Sequence, residues 1–465
     1  MSFHCPWRSR IVFVVTLMCY LGLIWVATQS AAFSKPPQEL DVDGRSANDR
    51  PNILLIITDQ QHANMMSCTG NSYLTTPAMD SLARGGIRFA NVSVTNPVCV
   101  PSRISMATGV MAGRLGVFNN GMKATVPHDV AANSLGKLIK SAGYDTFYGG
   151  KVHMCRELTP LNAGYDEYFK DQRDALPKAC IAFIERKRQR PFFVVASFIN
   201  PHDICFAYRA YKGISPKSKS SVEHLYRQAS ALPLDKLPPL PDNFKIPLSE
   251  PDAIELFAKP NAVTPSVIMR NDYDEREWRI YRWIYCRLTE QVDRHIGQIL
   301  DALKRNGLEK ETLIIFTSDH DDMDACHRLS SKGRFYEQSV RVPLLMKYDG
   351  TILSGQVDEH LVSSGLDILP TLCDYAGVPA PNRLMGRSLR SLAEGKRVDE
   401  WRNYLVTENH TGRMLRSKHF KYCVYNEGEI RESLVDLKDD PGEMKNLASI
   451  AKYKHLLVQH RNYLR

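Results

Sequence analysis

The sequence predicts an α/β fold with a mostly parallel central sheet flanked by helices, followed by a smaller C-terminal α+β domain. Three observations carry that expectation. Runs such as Asn52–Thr58, "PFFVVASFINPH" and "TLIIFTSDH" are continuously apolar, as in strands buried on both faces of a sheet. Helical segments separate these runs, the alternation of a parallel sheet. After about residue 378 the texture changes to short, closely spaced strand-like stretches.

The elements follow in chain order. Residues 1–32 have the charged, apolar, small-residue order of a secretory signal: Arg8 and Arg10, then Ile11 to Ala27, then Ser30-Ala31-Ala32. An uncleaved anchor is the alternative, since the apolar run approaches the roughly 20 residues that span a bilayer. Either way the expectation is export, to a periplasm or the outside. Residues 33–50 are polar, contain Pro36-Pro37 and read as a linker. The main domain is expected over 51–378 and the smaller one over 379–465. Within the first, "TPAMDSLARGGIRF", "SLGKLIKSAG" and "KACIAFIERKRQ" read as helices. "YRWIYCRLTEQVDRHIGQILDALKRNG" reads as a long amphipathic helix closed by Gly307. The Pro-rich stretch from 206 to 275 reads as irregular surface. "RNYLVTEN", "GRMLRSKHFKYCVYN" and "RESLVDLKDDPG" read as antiparallel strands, and "MKNLASIAKYKHLLVQHRNYLR" as a terminal helix. No internal repeat is present.

Composition excludes little. The chain has 465 residues, 43% hydrophobic and 24% charged, which is ordinary for a globular protein. The net charge of +9 hints at anionic partners. No nucleic-acid-binding motif accompanies it. Of eleven cysteines, Cys5 and Cys19 lie in the leader. An exported location permits disulfides among the rest, with no pairing deducible from their spacing.

The chemistry gathers where strands end, as in open α/β sheets generally. Asp59 and Gln60 close the first strand, His202 follows the strand ending in "NPHD", and Asp319 and His320 close the "TLIIFTSDH" strand. Lys151 and His153 stand in "GGKVH". Carboxylates from two distant strand ends suggest a hard divalent cation. Each segment alone has a plainer reading: Asp59 as a helix cap, "PHD" as a turn, Asp321, Asp322 and Asp324 as a solvated acidic loop. Their joint placement favours a site.

The segment "NPVCVPSR" is harder to explain, because a core cysteine needs neither flanking prolines nor Arg103. "CVPSR" resembles the C-x-P-S-R signature of the sulfatase family, within the alkaline phosphatase superfamily. "GYDTFYGGKVH" is similar to that family's second signature, with Val152 where tryptophan is common. "TDQ", "NPHD", "SDHDDM" and "SKGRFYEQSVRVP" resemble its other site segments in the right order, and the likeness runs over residues 51 to 447.

The resemblance implies an alkaline phosphatase-like fold and a role for each residue. Cys99 would be oxidised to formylglycine by a formylglycine-generating enzyme, which recognises Pro101 and Arg103. Asp59, Gln60, Asp319 and His320 would hold one Ca²⁺, bridged to substrate by residue 99. Arg103 would steady the aldehyde hydrate. Lys151, His153, His202 and Lys332 would hold the sulfate or the leaving oxygen. One geminal hydroxyl would attack sulfur and the other would then expel sulfate. Two positions depart from the family pattern: Gln60 replaces a usual aspartate, and Asp321 stands where glycine is common. The implied function is hydrolysis of a sulfate ester, with a sulfated carbohydrate as substrate. A phosphodiesterase or phosphonate monoester hydrolase on the same fold is the alternative. A non-catalytic sulfated-glycan binder is a third reading, but it would not need the modification signature.

Overall fold

The computed structural model describes Met1 and residues 50–121, 124–213, 220–256 and 265–464. The leader and most of the linker lie outside them. Among the described residues no helix is long and apolar enough to cross a membrane.

Eight strands form one sheet in the order β4-β3-β5-β1-β6-β7-β2-β8. They are β1 (Asn52–Asp59), β2 (Ile87–Ser93), β3 (Asp145–Gly150), β4 (Glu167–Phe169), β5 (Phe192–Pro201), β6 (Thr312–Ser318), β7 (Leu344–Lys347) and β8 (Gln356–Ser363). All pairs are parallel except those of β7, which runs against β6 and β2. The three expected apolar strands are central, and every residue of β5 and β6 is buried. Water is absent from both faces there, so no polar alternation is needed.

Helices cover both faces. They include α1 (Pro77–Gly85), α2 (Cys99–Thr108), α3 (Leu135–Ser141), α4 (Leu176–Ile184), α5 (Glu275–Arg305) and α6 (Ser364–Ala376). The long helix α5 forms as expected. Asp274 caps it by accepting from Glu277 N at 2.9 Å, and Gly307 follows its end with φ 70°. Its stripe Trp278, Tyr281, Tyr285, Leu288, Val292, Ile296 is buried.

The stretch from 206 to 275 is not irregular surface. It contains the helices Ala207–Tyr211, Ser220–Ser230, Asp252–Leu256 and Pro265–Asp272. Val222, Ala229, Leu237, Met269 and Tyr273 pack with Trp278 and Tyr281 of α5 in one apolar cluster. The prolines cut the region into helices too short to show a clear period. The terminal helix, α7, is also shorter than expected and spans only Lys454–Tyr463.

A second sheet holds β9 (Tyr404–Asn409), β10 (Gly412–Ser417), β11 (Phe420–Tyr425) and β12 (Glu432–Asp436), antiparallel in the order β12-β11-β10-β9. Glu408 N donates to Thr95 O at 2.9 Å and Asn409 Nδ2 to Gly333 O at 2.8 Å, tying this sheet to loops beyond β2 and β6. Among the described residues every cysteine is a free thiol.

Candidate active site

Cys99 is the first residue of α2 and is 1% exposed. That position explains one of the two prolines around it. Pro101 falls in the first helical turn, where a missing N–H costs nothing. No side chain caps this helix, so its positive end is directed at the thiol's surroundings.

Four elements converge on the sulfur. The β1 end supplies Asp59, and the β6 end supplies Asp319 and His320, all three fully buried. The β3 end supplies Lys151. The turn before it needs glycine, because a Cβ at Gly150 would lie 1.9 Å from Ser197 O and its φ is 95°. The loop after β6 supplies Lys332. Cys99 Sγ lies 3.0 Å from His320 Nε2, 3.0 Å from Lys332 Nζ and 3.6 Å from Lys151 Nζ. Burial alone would raise the Cys99 pKa, but Lys332, His320 and Lys151 hold it well below the usual thiol value.

Arg103, one turn along α2, ties the two strand-end carboxylates together. Its Nε meets Asp319 Oδ2 at 2.7 Å and its NH2 meets Asp59 Oδ2 at 3.0 Å. Lys151 also pairs with Asp59 Oδ2. Burial and the Cys99 sulfur would raise the Asp59 pKa, but Lys151, His202 and Arg103 keep the group ionised. The other oxygens face the opposite way. Asp59 Oδ1 and Asp319 Oδ1 each lie 3.6 Å from His320 Nε2. Asp59 Oδ1 is buried and has no hydrogen-bond partner.

Asp59, Cys99, Asp319 and His320 each offer one donor atom, and these atoms lie within 4.8 Å of one another. An orphaned carboxylate oxygen in that cradle fits a cation. The two carboxylates suit a hard ion such as Ca²⁺, while the His320 nitrogen is a softer donor than such ions prefer.

Gln60 is engaged elsewhere. Its Nε2 donates to Asp322 Oδ2 at 2.7 Å, and its Oε1 accepts from Cys205 Sγ at 3.4 Å. Asp321, Asp322 and Asp324 are buried, so the solvated-loop alternative does not hold. Tyr281 donates to Asp322 and Arg282 pairs with Asp324, both from α5.

His202 Nε2 lies 3.9 Å from Asp59 Oδ1. Burial first, then Lys332, pushes the His202 pKa down to about 4. Its imidazole and that of His153 both interact electrostatically with the Cys99 sulfur. His153, in left-handed backbone at φ 45°, is exposed at the rim.

Three supporting residues carried no signal in the sequence. Ser197 accepts from Arg103 NH1 at 2.8 Å, Tyr148 holds Lys151 O at 2.7 Å, and Tyr285 holds Gln60 O at 2.6 Å. Ser197 and Tyr148 look like ordinary strand residues, and Tyr285 lies on a helix 225 residues from Gln60.

Known proteins resemble this chain in sequence and fold. The family model described as Sulfatase matches residues 51–378, and one described as N-sulphoglucosamine sulphohydrolase, C-terminal, matches residues 326–465. The chain is 29% identical to a Delta 4,5-hexuronate-2-O-sulfatase of Bacteroides thetaiotaomicron over 445 residues, covering 90% of this chain and 89% of that protein. The solved structure of a 2-O GAG sulfatase superposes with a TM-score of 0.77 at 28% identity, covering 89% of this chain and 91% of that one. A phosphonate monoester hydrolase of Agrobacterium radiobacter superposes with a TM-score of 0.68 at 22% identity, covering 89% and 95%, a likeness of fold alone.

Proposed function

The chain belongs to the sulfatase family, and from that premise we propose that it removes sulfate from a sulfated carbohydrate, with residue 99 as an oxidised nucleophile and Ca²⁺ as its cation. The observation that carries the reading is the convergence of Asp59, Asp319 and His320 on Cys99 at a helix N-terminus, with one buried carboxylate oxygen left unpaired. The choice of a carbohydrate rests on the similarity to the hexuronate-2-O-sulfatase and the 2-O GAG sulfatase.

Oxidised to formylglycine and hydrated, residue 99 would carry two geminal hydroxyls in place of one thiol. The cation would be held by Asp59, Asp319, His320 and residue 99, and it would lower the pKa of a hydroxyl and offset the charge of the sulfate. The chain's own groups do the rest. Lys151 and Lys332 stand within 3.6 Å and 3.0 Å of the residue 99 side chain, where the sulfate oxygens would lie. Arg103 holds the Oδ2 atoms of both carboxylates, which leaves Asp59 Oδ1 and Asp319 Oδ1 on the side of His320. Burial and the Lys332 charge disfavour the protonated form of His202 in the free protein. A bound anionic ester raises its proton affinity, which readies it to protonate the leaving sugar oxygen. His153 at the rim serves the same end of the ester.

The test is a comparison of kcat/KM for a sulfated hexuronate disaccharide, an aryl sulfate and an aryl phosphodiester. Both sulfate esters should be turned over faster than the phosphodiester. Preference for the phosphodiester would favour the alternative hydrolase reading.

A further inference from the structure

Two hollows of about 580 Å³ and 300 Å³ meet at Trp401, Arg402 and Asn403. Neither is lined by Cys99 or by any residue of the catalytic cluster. The larger has the size of a ligand site. Its lining includes Arg114, Arg387, Arg402 and Arg413 against one carboxylate, Glu408. Two of the arginines already face carboxylates: Asp367 holds Arg402 through two contacts at 2.6 Å and 2.7 Å, and Arg413 Nε lies 3.8 Å from Glu408 Oε2. Arg114, Arg387 and Arg413 are exposed and the larger hollow keeps a net positive charge, while the smaller is lined by Asp358 and Glu359 beside Lys418.

The groove also has fixed aromatic faces. Trp401 Nε1 donates to Leu361 O at 2.8 Å, and the Arg387 and Arg402 guanidinium carbons sit 5.7 Å and 5.2 Å from its ring centre. Tyr404 is 39% exposed and stacks on Tyr463 at 5.1 Å. Immobilised aromatic faces beside guanidinium forks suit a sugar chain carrying sulfate groups: rings cover the apolar sugar faces, and arginine pairs with the sulfate oxygens.

Its position connects it to the reaction. Ser363, which lines the larger hollow, ends β8. It lies in parallel register with Ser93, which ends β2 six residues before Cys99. Groove and nucleophile therefore open on the same edge of the sheet.

We propose that this groove is a second binding subsite, which holds a sulfated stretch of the saccharide away from the ester being cleaved. The proposal rests on the reading of the substrate as a sulfated carbohydrate. It explains why the positive charge extends beyond the residues that hold the reacting sulfate.

The test measures binding of a fluorescent heparin octasaccharide to the full chain and to Arg114→Glu/Arg387→Glu, with Lys310→Glu as a distant charge control and thermal melting as the check on folding. The double variant is expected to bind about tenfold or more weakly and to elute from immobilised heparin at lower salt, with Lys310→Glu unchanged. Unchanged affinity in the folded double variant overturns the proposal. Equal binding of an unsulfated octasaccharide, or of single-stranded DNA of the same charge with the same sensitivity to the variant, overturns the assignment to a sulfated sugar. A wild-type enzyme that cleaves small sulfate esters but does not bind the octasaccharide removes the groove and leaves the sulfatase reading intact. Groove-dependent binding without cleavage of any sulfate ester does the reverse.

Discussion

Two buried clusters of charge have almost the same composition and opposite roles. In the first, Arg103 and Lys151 meet Asp59 and Asp319. In the second, Arg416 and Lys421 meet Glu337 and Glu443, at the seam between β10, β11 and the segment after Lys332. Every carboxylate of the second is engaged. Arg416 Nε lies 3.3 Å from both Glu337 oxygens, Glu443 Oε2 accepts from Glu337 N at 2.6 Å, and Lys421 pairs with both acids. The first leaves Asp59 Oδ1 unpaired beside a thiol and an imidazole. Buried ion pairs alone therefore do not mark a site. A pair with one coordination position left open, next to a nucleophile, does.

The largest expected effect lies in the open cluster. Cys99→Ala should reduce turnover of every sulfate ester by at least about 10³-fold, since it removes the atom that carries the reaction. Retained turnover would move the nucleophile elsewhere. His202→Ala comes next. It should slow a sugar sulfate by about 10²–10⁴-fold and an activated aryl sulfate much less, because nitrophenols leave without a proton. Equal losses would reduce His202 to a sulfate-binding role. Lys332→Ala should slow both substrates alike.

The closed cluster should behave in the reverse way. Lys421→Met leaves two buried carboxylates without their shared cation, and denaturant melts should show a loss of about 3–5 kcal/mol. Turnover per folded molecule should stay within about twofold, as expected for a group that touches no reacting atom. A loss of turnover in the folded fraction would mean that the seam also sets the position of Lys332.

The smallest effect concerns acid. Burial would raise the Glu337 pKa, but Arg416, Lys421 and Arg341 bring it from 4.5 down to about 2. A depressed carboxylate stabilises the fold above its unfolded value. That stability is lost as pH falls from 4.5 toward about 2. Glu337→Gln should be less stable near neutrality, and its melting temperature should fall less steeply on acidification. Parallel pH curves for the two proteins would refute this.

The same contrast shows what the sequence could reveal. The open cluster was legible because its members sit at the ends of continuous apolar strands, so Asp59, Lys151, His202 and Asp319 each stood at a visible boundary. Cys99 needed its motif, since nothing in "NPVCVPSR" alone announces a helix start. The closed cluster was illegible. Glu337 and Lys421 are 84 residues apart, and neither follows a strand that signals a site. The burial of Asp322 and Asp324 was hidden for the same reason, because their partners Tyr281 and Arg282 project from a helix some 40 residues earlier. The short helices between 206 and 275 were lost among the prolines that are scattered between them.

The central claim is that residue 99 acts in an oxidised form. Mass spectrometry of the tryptic peptide Phe89–Arg103, from active protein made in cells that have the converting enzyme, tests it most directly. The account predicts a peptide with an aldehyde in place of the Cys99 thiol, reactive toward a hydrazide and inert to alkylation. A fully active preparation in which this peptide carries an alkylatable thiol and no aldehyde would contradict it.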